Sequence, residues 1–594
     1  VNLLHWIGQL EGDAYRSLRL FAPEGLVCAT MLLLLLSRML LPSRRRLPYW
    51  LAFVGVFAAL AAAVMQWPFF ALLPQLPHTA VGGFTGLLRF DTLGLFFRIL
   101  FFGFSAVFIL FLGMTRLPPD EDVGEFLVLY LASILGLCVM ASADHLLMVL
   151  LGMEMAGVPS YILAGFIKSR RASGEAAVKF ALFGAASAGV MLYGMTLLAG
   201  SLGSLHLPTM GMRLAAWTDP SAFAARAPVL VLGLLMLLVG LAFKLSAVPF
   251  HFWVPDVFEG SAAEVGAYLS TVSKAGALIL LIRVASGLLG ADATIPRLPD
   301  PAQFAAAASR FDMPADSRPV IREGVIQAGA AADRNGDPNV RPVAFARQDS
   351  TAEHSTAEHS TSELGSPAQL VSRFLAAVIA VLAAVSCTFG NLAAYGQRNF
   401  KRLLAYSTIA HAGYMLMPVA AAVAMWRTQP ELARWALAAS ALYVAIYLIM
   451  NLGAFATTAF LRDAFQSETI DDFAGWIRVS PSLTVAVAVI MFSLIGLPPL
   501  AGFVAKFAAF ASLTYSGLWA LLVIGAVNTA ISLFYYLRVV KVMVLDAPSE
   551  AVAAMPPMGK GAVTFLAVLA ASLLVLGVLW QPLFTWAKAA AGAL

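Results

Sequence analysis

Charge is scarce in this sequence: 12% of its 594 residues are Asp, Glu, Lys or Arg, against 60% that are hydrophobic. A soluble globular chain carries about 25% charged residues. So low a share excludes a water-soluble enzyme or binding module, because no single core hides this much apolar surface from water, whereas a bilayer does. The mean hydropathy of +0.83 agrees. Cysteine is scarce too. Cys28, Cys138 and Cys387 lie far apart inside apolar runs, and no Cys-x-x-Cys pair occurs. That argues against iron–sulfur clusters and structural zinc, which need grouped thiolates, and against a disulfide framework. Neither a Gly-x-Gly-x-x-Gly run after a strand nor a Walker loop is present, so no nucleotide or redox centre is expected in this chain. No basic patch is interleaved with aromatics either. The net charge of +5 comes from Lys and Arg in short loops beside apolar runs, which is a membrane-orientation signal rather than a nucleic-acid footprint.

What the sequence has in abundance is long apolar runs. A bilayer-spanning helix needs roughly 20 mostly apolar residues, and runs of that kind give about fourteen spans. The first eight centre on Leu33, Phe57, Phe104, Ile134, Met155, Val190, Met236 and Lys274, and the last six on Val378, Met415, Tyr447, Leu494, Val527 and Leu569. Strands are not expected, because lipid demands backbone satisfied within each segment. The run Leu26–Leu41 follows a polar start without a small-residue cleavage site, so it reads as a span rather than a cleavable leader. Arg44, Arg45 and Arg46 follow span one; Lys168, Arg170 and Arg171 follow span five; Arg398, Lys401 and Arg402 follow span nine. All three loops fall on one side, which the positive-inside rule makes cytoplasmic, and both termini then face outward. Residues 291–367 turn polar and contain a tandem Thr-Ala-Glu-His-Ser repeat. Such composition reads as a disordered outer-side insertion, in which His354 and His359 are not expected to hold a metal. The expected organisation is 1–120 with three spans, 121–290 with spans four to eight, the insertion 291–367, 368–545 with spans nine to thirteen, and 546–594 with the last span.

Ionisable side chains within the spans carry the chemistry. Each costs roughly 2.5–3.5 kcal/mol at a helix centre on insertion scales, so several of one kind need a reason. Glu154 lies in span five, Lys179 near the start of span six, Lys244 in span seven, Lys274 in span eight and Lys506 in span twelve. Burial disfavours the charged form of a lysine and a nearby carboxylate restores it, so such a lysine can take and release a proton as its partner moves. Arginine stays charged in essentially any site. The plainer alternative is a snorkelling or salt-bridged packing residue, which weighs most for Lys179. His411, in span ten, either lines the same polar axis or is a satisfied packing histidine. Pro249 follows Lys244, and Pro498-Pro499 precede Lys506. Proline breaks a helix, and interrupted helices in corresponding halves point to inverted-repeat transporter architecture. The fold class expected is an all-α polytopic membrane protein with two inverted five-helix repeats and broken helices in spans seven and twelve.

Three stretches carry a family resemblance: Lys244-Leu-Ser-Ala-Val-Pro-Phe-His-Phe-Trp-Val-Pro-Asp-Val-Phe-Glu-Gly260, Lys401-Arg-Leu-Leu-Ala-Tyr-Ser-Thr-Ile-Ala-His-Ala-Gly-Tyr414 and Gly496-Leu-Pro-Pro-Leu-Ala-Gly-Phe-Val-Ala-Lys506, with Pro23-Glu24 and Asn528 through Tyr536 in agreement. The chain resembles the antiporter-like membrane subunits of NADH–quinone oxidoreductase (respiratory complex I), most closely the subunit N branch. The resemblance implies proton translocation coupled to electron transfer in other subunits. Glu154 and Lys244 would be the channel's glutamate–lysine pair, Lys274 the central lysine, Lys506 the terminal residue of the second half-channel, and Lys179 an auxiliary lysine. It further implies no cofactor in this chain, with NAD, FMN, iron–sulfur clusters and quinone in partner subunits. It implies a neighbouring antiporter-like subunit as partner and a bacterial cytoplasmic membrane as location. A multi-subunit sodium/proton antiporter and a membrane-bound hydrogenase share the scaffold and remain as alternatives. One departure is Ser261-Ala-Ala-Glu264, where many relatives read Ala-Pro-Thr after Glu-Gly; it puts the local loop conformation in question.

Overall fold

The structure is a computed structural model that describes residues 3–41, 46–72, 80–115, 118–119, 121–217, 220–290, 366–548, 552 and 558–592. Helices α1 (Leu3–Leu20), α2 (Ala22–Leu40) and α3 (Leu47–Leu72) come first. A hairpin of β1 (Val81–Gly83) and β2 (Leu88–Phe90) follows, then α4 (Thr92–Leu112), α5 (Val123–Ser142), α6 (Leu146–Ala164), α7 (Arg171–Leu202) and α8 (Leu207–Ala215). The next group is α9 (Pro220–Leu245), α10 (Trp253–Gly260), α11 (Ala263–Ser270) and α12 (Val272–Leu289). After the insertion come α13 (Pro367–Ala394), α14 (Phe400–Met425), α15 (Pro430–Phe465), α16 (Pro481–Ile495), α17 (Ala501–Tyr515), α18 (Trp519–Leu545), α19 (Lys560–Val578) and α20 (Gln581–Ala591). Arg44, Arg45 and the insertion with His354 and His359 lie outside the described residues.

Among the described residues, thirteen helices are long and apolar enough to cross a membrane, with α11 and α12 together making one of them. Helices α16 and α17 are shorter apolar pieces on either side of Gly496–Leu500. The apolar side chains that would make α4 insoluble alone are buried against its neighbours, and its first turn is capped by Asp91, whose carboxylate accepts from the Gly94 amide at 2.8 Å. Asn399 caps α14 in the same way, accepting from the Arg402 amide at 3.1 Å. These side-chain acceptors satisfy amides that a helix start leaves without partners.

Burial sorts the helices into a centre and a periphery. The α11–α12 crossing is 100% buried, and α14 and α15 are each 94% buried, whereas the α3 and α19 crossings are 22% and 28% buried. An apolar helix buried on all sides is a core helix; one exposed on most of its surface meets lipid or another chain.

The hairpin corrects the expectation that no strand forms. Its three-residue strands pair Val81 with Phe90 and Gly83 with Leu88, between α3 and α4. Leu88 also bridges to Ala143 just past α5. The opposite end of the bundle carries the basic loops. Arg38 pairs with Glu125 at 3.1 Å, Lys168 with Asp122 at 3.3 Å, and both Arg170 and Lys401 approach Glu468, at 3.9 and 2.9 Å. These contacts place the end of α2, the α6–α7 connection and the start of α14 at a single end. Lys401, read from sequence as a loop residue, is in fact in the first turn of α14 and fully buried.

Candidate functional site

Two helix breaks frame the site. Helix α9 stops at Leu245, Ser246 takes a left-handed backbone at φ +62°, and a cis Val248–Pro249 bond precedes α10. The freed backbone is held by protein: the Val248 amide donates to Ser386 Oγ of α13 at 2.9 Å, and the Ala247 amide to the Ala242 carbonyl at 2.8 Å. The second break follows Gly496, which ends α16 at φ +89°, and contains a cis Pro498–Pro499 bond. There the Gly502 amide donates to Ser493 Oγ at 3.1 Å. Irregular backbone at membrane depth persists only where such partners exist. A third interruption, not read from the sequence, separates α11 from α12 at Thr271 (φ −107°, ψ −95°), three residues before Lys274.

The lysines of the spans converge on these interruptions. Lys244 is in the last turn of α9 and 4% exposed, and its Nζ has no hydrogen-bond partner among the described residues. Glu154 of α6 is half-buried, and no hydrogen bond joins it to Lys244. Lys274 is 1% exposed and donates to the Thr408 carbonyl of α14 at 3.0 Å. His411, about one turn further along α14, has both ring nitrogens engaged: Nδ1 with Tyr443 Oη at 2.9 Å and Nε2 with Tyr536 Oη at 3.3 Å. Along α14 it falls between Thr408, whose carbonyl meets Lys274, and Tyr414, whose ring faces Lys506. Lys506 of α17 donates to the Ile495 carbonyl across the second break at 2.9 Å, and its ammonium sits 4.5 Å from the centre of the Tyr414 ring. Lys274 and Lys506 therefore meet neutral carbonyls and an aromatic face, and each can lose its proton without abandoning an ion pair. Lys179 stands apart, at the basic end, bonded to Asp256 at 2.6 Å and Glu175 at 2.7 Å and 37% exposed.

Several functional neighbours escaped the sequence reading. Tyr414, Tyr443, Tyr447 and Tyr536 line the stretch around His411, and Tyr535 Oη donates to Asn391 Oδ1 at 2.9 Å. A tyrosine in an apolar run reads as packing until its neighbours are known. Arg98 and Arg283 are also within spans, where an ionisable residue is as rare and as costly as the lysines are. Arg98 of α4 pairs with Glu24 of α2, both 1% exposed. Arg283 of α12 binds both oxygens of Asp91 at 2.5 Å.

A polytopic helical protein with broken helices and a buried row of titratable cations belongs to the class that moves ions within the membrane. Comparisons narrow that class. The family described as NADH:quinone oxidoreductase/Mrp antiporter, transmembrane, matches residues 143–295 and 364–532, and the chain belongs to this family. It is 34% identical over 98% of both chains to NADH-quinone oxidoreductase subunit N of Anaeromyxobacter sp. (strain Fw109-5), and 30% identical to that of Geobacillus sp. (strain WCH70), over 93% of this chain and 94% of the relative. Among solved structures it is similar to a chain of respiratory complex I from Thermus thermophilus, at 27% identity and a TM-score of 0.65, covering 95% and 98% of the two chains. A chain of the Mrp complex from Dietzia sp. DQ12-45-1b shares the fold, at 16% identity and a TM-score of 0.68 over 97% of each chain.

Proposed function

We propose that this chain is the N-type, proton-translocating membrane subunit of a bacterial NADH–quinone oxidoreductase. One observation above all supports the reading: three lysines, Lys244, Lys274 and Lys506, are almost wholly buried beside helix interruptions, with His411 on α14 between the contact points of the last two. Glu154 and Lys244 act as the input pair, Lys274 as the central carrier, and His411 as the link to Lys506, the output residue. Protonation of one site repels a proton on the next in this low-dielectric row, so charge at Glu154–Lys244 biases Lys274 and then Lys506. Lys179, tied to two carboxylates at the basic end, holds an auxiliary place where protons are collected. The interrupted pair α16–α17 counts as one further crossing beside the thirteen long helices, which makes fourteen spans. Spans four to eight and nine to thirteen then form two inverted repeats, each with a break in its fourth span.

NAD, FMN, iron–sulfur clusters and quinone belong to partner subunits, and this chain itself carries no redox step. Glu154 supports a neighbouring antiporter-like subunit: Leu151, Met155 and Val158, on the same helix, are 42%, 37% and 50% exposed. A half-exposed carboxylate at membrane depth is costly against lipid, and a neighbouring chain removes that cost. The basic end faces the bacterial cytoplasm and both termini face outward. The sodium/proton antiporter alternative shares the family model and, at 16% identity, the fold, whereas a subunit N relative is 34% identical over 98% of this chain.

The test is NADH-driven proton uptake by inverted vesicles carrying Lys274→Ala, compared with native vesicles at matched complex abundance. Uptake lost with the complex intact is expected. Undiminished uptake overturns the reading.

A further inference from the structure

Residues 259–264 join α10, just past the first break, to the α11–α12 crossing that carries Lys274. Three cations from the second half of the chain close on this segment. Lys401 Nζ donates to the Glu259 and Ser261 carbonyls at 2.8 and 2.7 Å. Arg402 Nη1 reaches Glu259 Oε2 at 2.6 Å. Glu264 is wholly buried, and its two oxygens accept from Arg462 Nη1 and Nη2, in the last turn of α15, at 2.8 and 2.9 Å. Asp463 Oδ1 also accepts from that guanidinium, at 2.8 and 3.0 Å.

A fork of this kind fixes orientation as well as distance. It matters here because α11 is only eight residues long and does not run straight into α12. Beyond the interruption, α12 has a fork of the same type, Arg283 on Asp91. Lys274 thus lies between two buried arginine–carboxylate anchors. The first holds the segment ahead of the interruption, and the second the segment behind it.

We infer that Glu264 and Arg462 are positioning residues for Lys274: their paired hydrogen bonds hold α11 to the end of α15 and so set where the Lys274 ammonium meets the Thr408 carbonyl. Neither residue carries the transported proton. The inference rests on the proposed role of Lys274 as a proton carrier.

The experiment measures protons taken up per NADH oxidised in inverted vesicles, normalised to assembled complex, for Glu264→Gln, Glu264→Asp and Arg462→Lys, with Lys274→Ala alongside. The expected result is that Glu264→Gln and Arg462→Lys lower the ratio at least about twofold, the scale of coupling changes from such contacts, while complex abundance holds. Glu264→Asp, which keeps the charge and both acceptor oxygens, retains most of the ratio. An unchanged ratio in Glu264→Gln and Arg462→Lys overturns the inference, whether abundance falls or not. So does failure of both to assemble, since the pair would then serve folding. Full pumping by Lys274→Ala is a separate outcome, which removes the proposed function itself.

Discussion

Lys506 and Asp91 show how differently a buried ion can be held. The Lys506 ammonium contacts the Ile495 carbonyl and the Tyr414 ring, both neutral, so deprotonation strands no partner charge. Lys506→Arg keeps the cation but removes that freedom, because a guanidinium stays protonated in essentially any site. Proton uptake per NADH oxidised is expected to drop to the level of Lys506→Ala, with assembly preserved; uptake near the native level would show that this position need not titrate. Asp91, at the head of α4, is an anchor instead. Burial pushes its carboxyl up, but Arg283, Arg89 and the Gly94 amide outweigh burial and hold it below the ordinary value of 3.8. A carboxylate so lowered contributes stability that is complete above its unfolded pKa and fades only as pH falls through the lower folded one. The anchor is therefore intact at every pH above about 5, one unit or so over the unfolded value. Asp91→Asn leaves Arg283 buried without its counter-charge, an expected cost of about 3–5 kcal/mol. It should appear as a lowered melting temperature of the purified complex, equal at pH 6 and pH 8. The sequence exposed Lys506 as an ionisable residue in an apolar span, but gave no sign that Asp91 and Arg283, so far apart along the chain, meet.

At the scale of elements, the second break depends on close approach. A Cβ on Gly577 of α19 would fall 1.9 Å from the Pro499 carbonyl oxygen, and one on Gly502 would fall 1.7 Å from that of Ser493. Both obstacles are backbone, so neither can rotate aside. Gly577→Ala is expected to push α19 off the break and cost about 1–3 kcal/mol through overpacking. Gly189→Ala, where a Cβ meets nothing within 4 Å, is the matched control. Thermal melting of the two variants checks the pair, and equal melting points would contradict the bracing role. The two proline breaks were legible because proline cannot continue a helix ladder. The interruption at Thr271 was not: Ser270-Thr271-Val272 contains no breaker, and the bend lies within a crossing that is buried on all sides. The hairpin escaped for another reason, since three-residue strands are too short for alternation to register.

For the whole molecule, the ion pairs at one end and the hairpin at the other give the topology a direct test. Lys168, 70% exposed on its side chain, marks the basic end, and exposed Thr85 marks the hairpin end. A membrane-impermeant maleimide is expected to label Lys168→Cys in inverted vesicles only and Thr85→Cys in right-side-out vesicles only, above the wild-type background. The reverse pattern would invert the orientation drawn from the basic loops. The sequence by itself determined that the chain lives in a bilayer, that its ionisable residues at depth are few, and where proline forbids a continuous helix, because those follow from composition and local backbone chemistry. Only the tertiary structure decided which helices are central, that His411 lies on α14 between the contact points of Lys274 and Lys506, and that Glu264 is clamped by Arg462. Those facts depend on contacts between residues distant along the chain, and in a helical bundle the hydrogen bonds that build each helix are local and carry no information about which helix it will face.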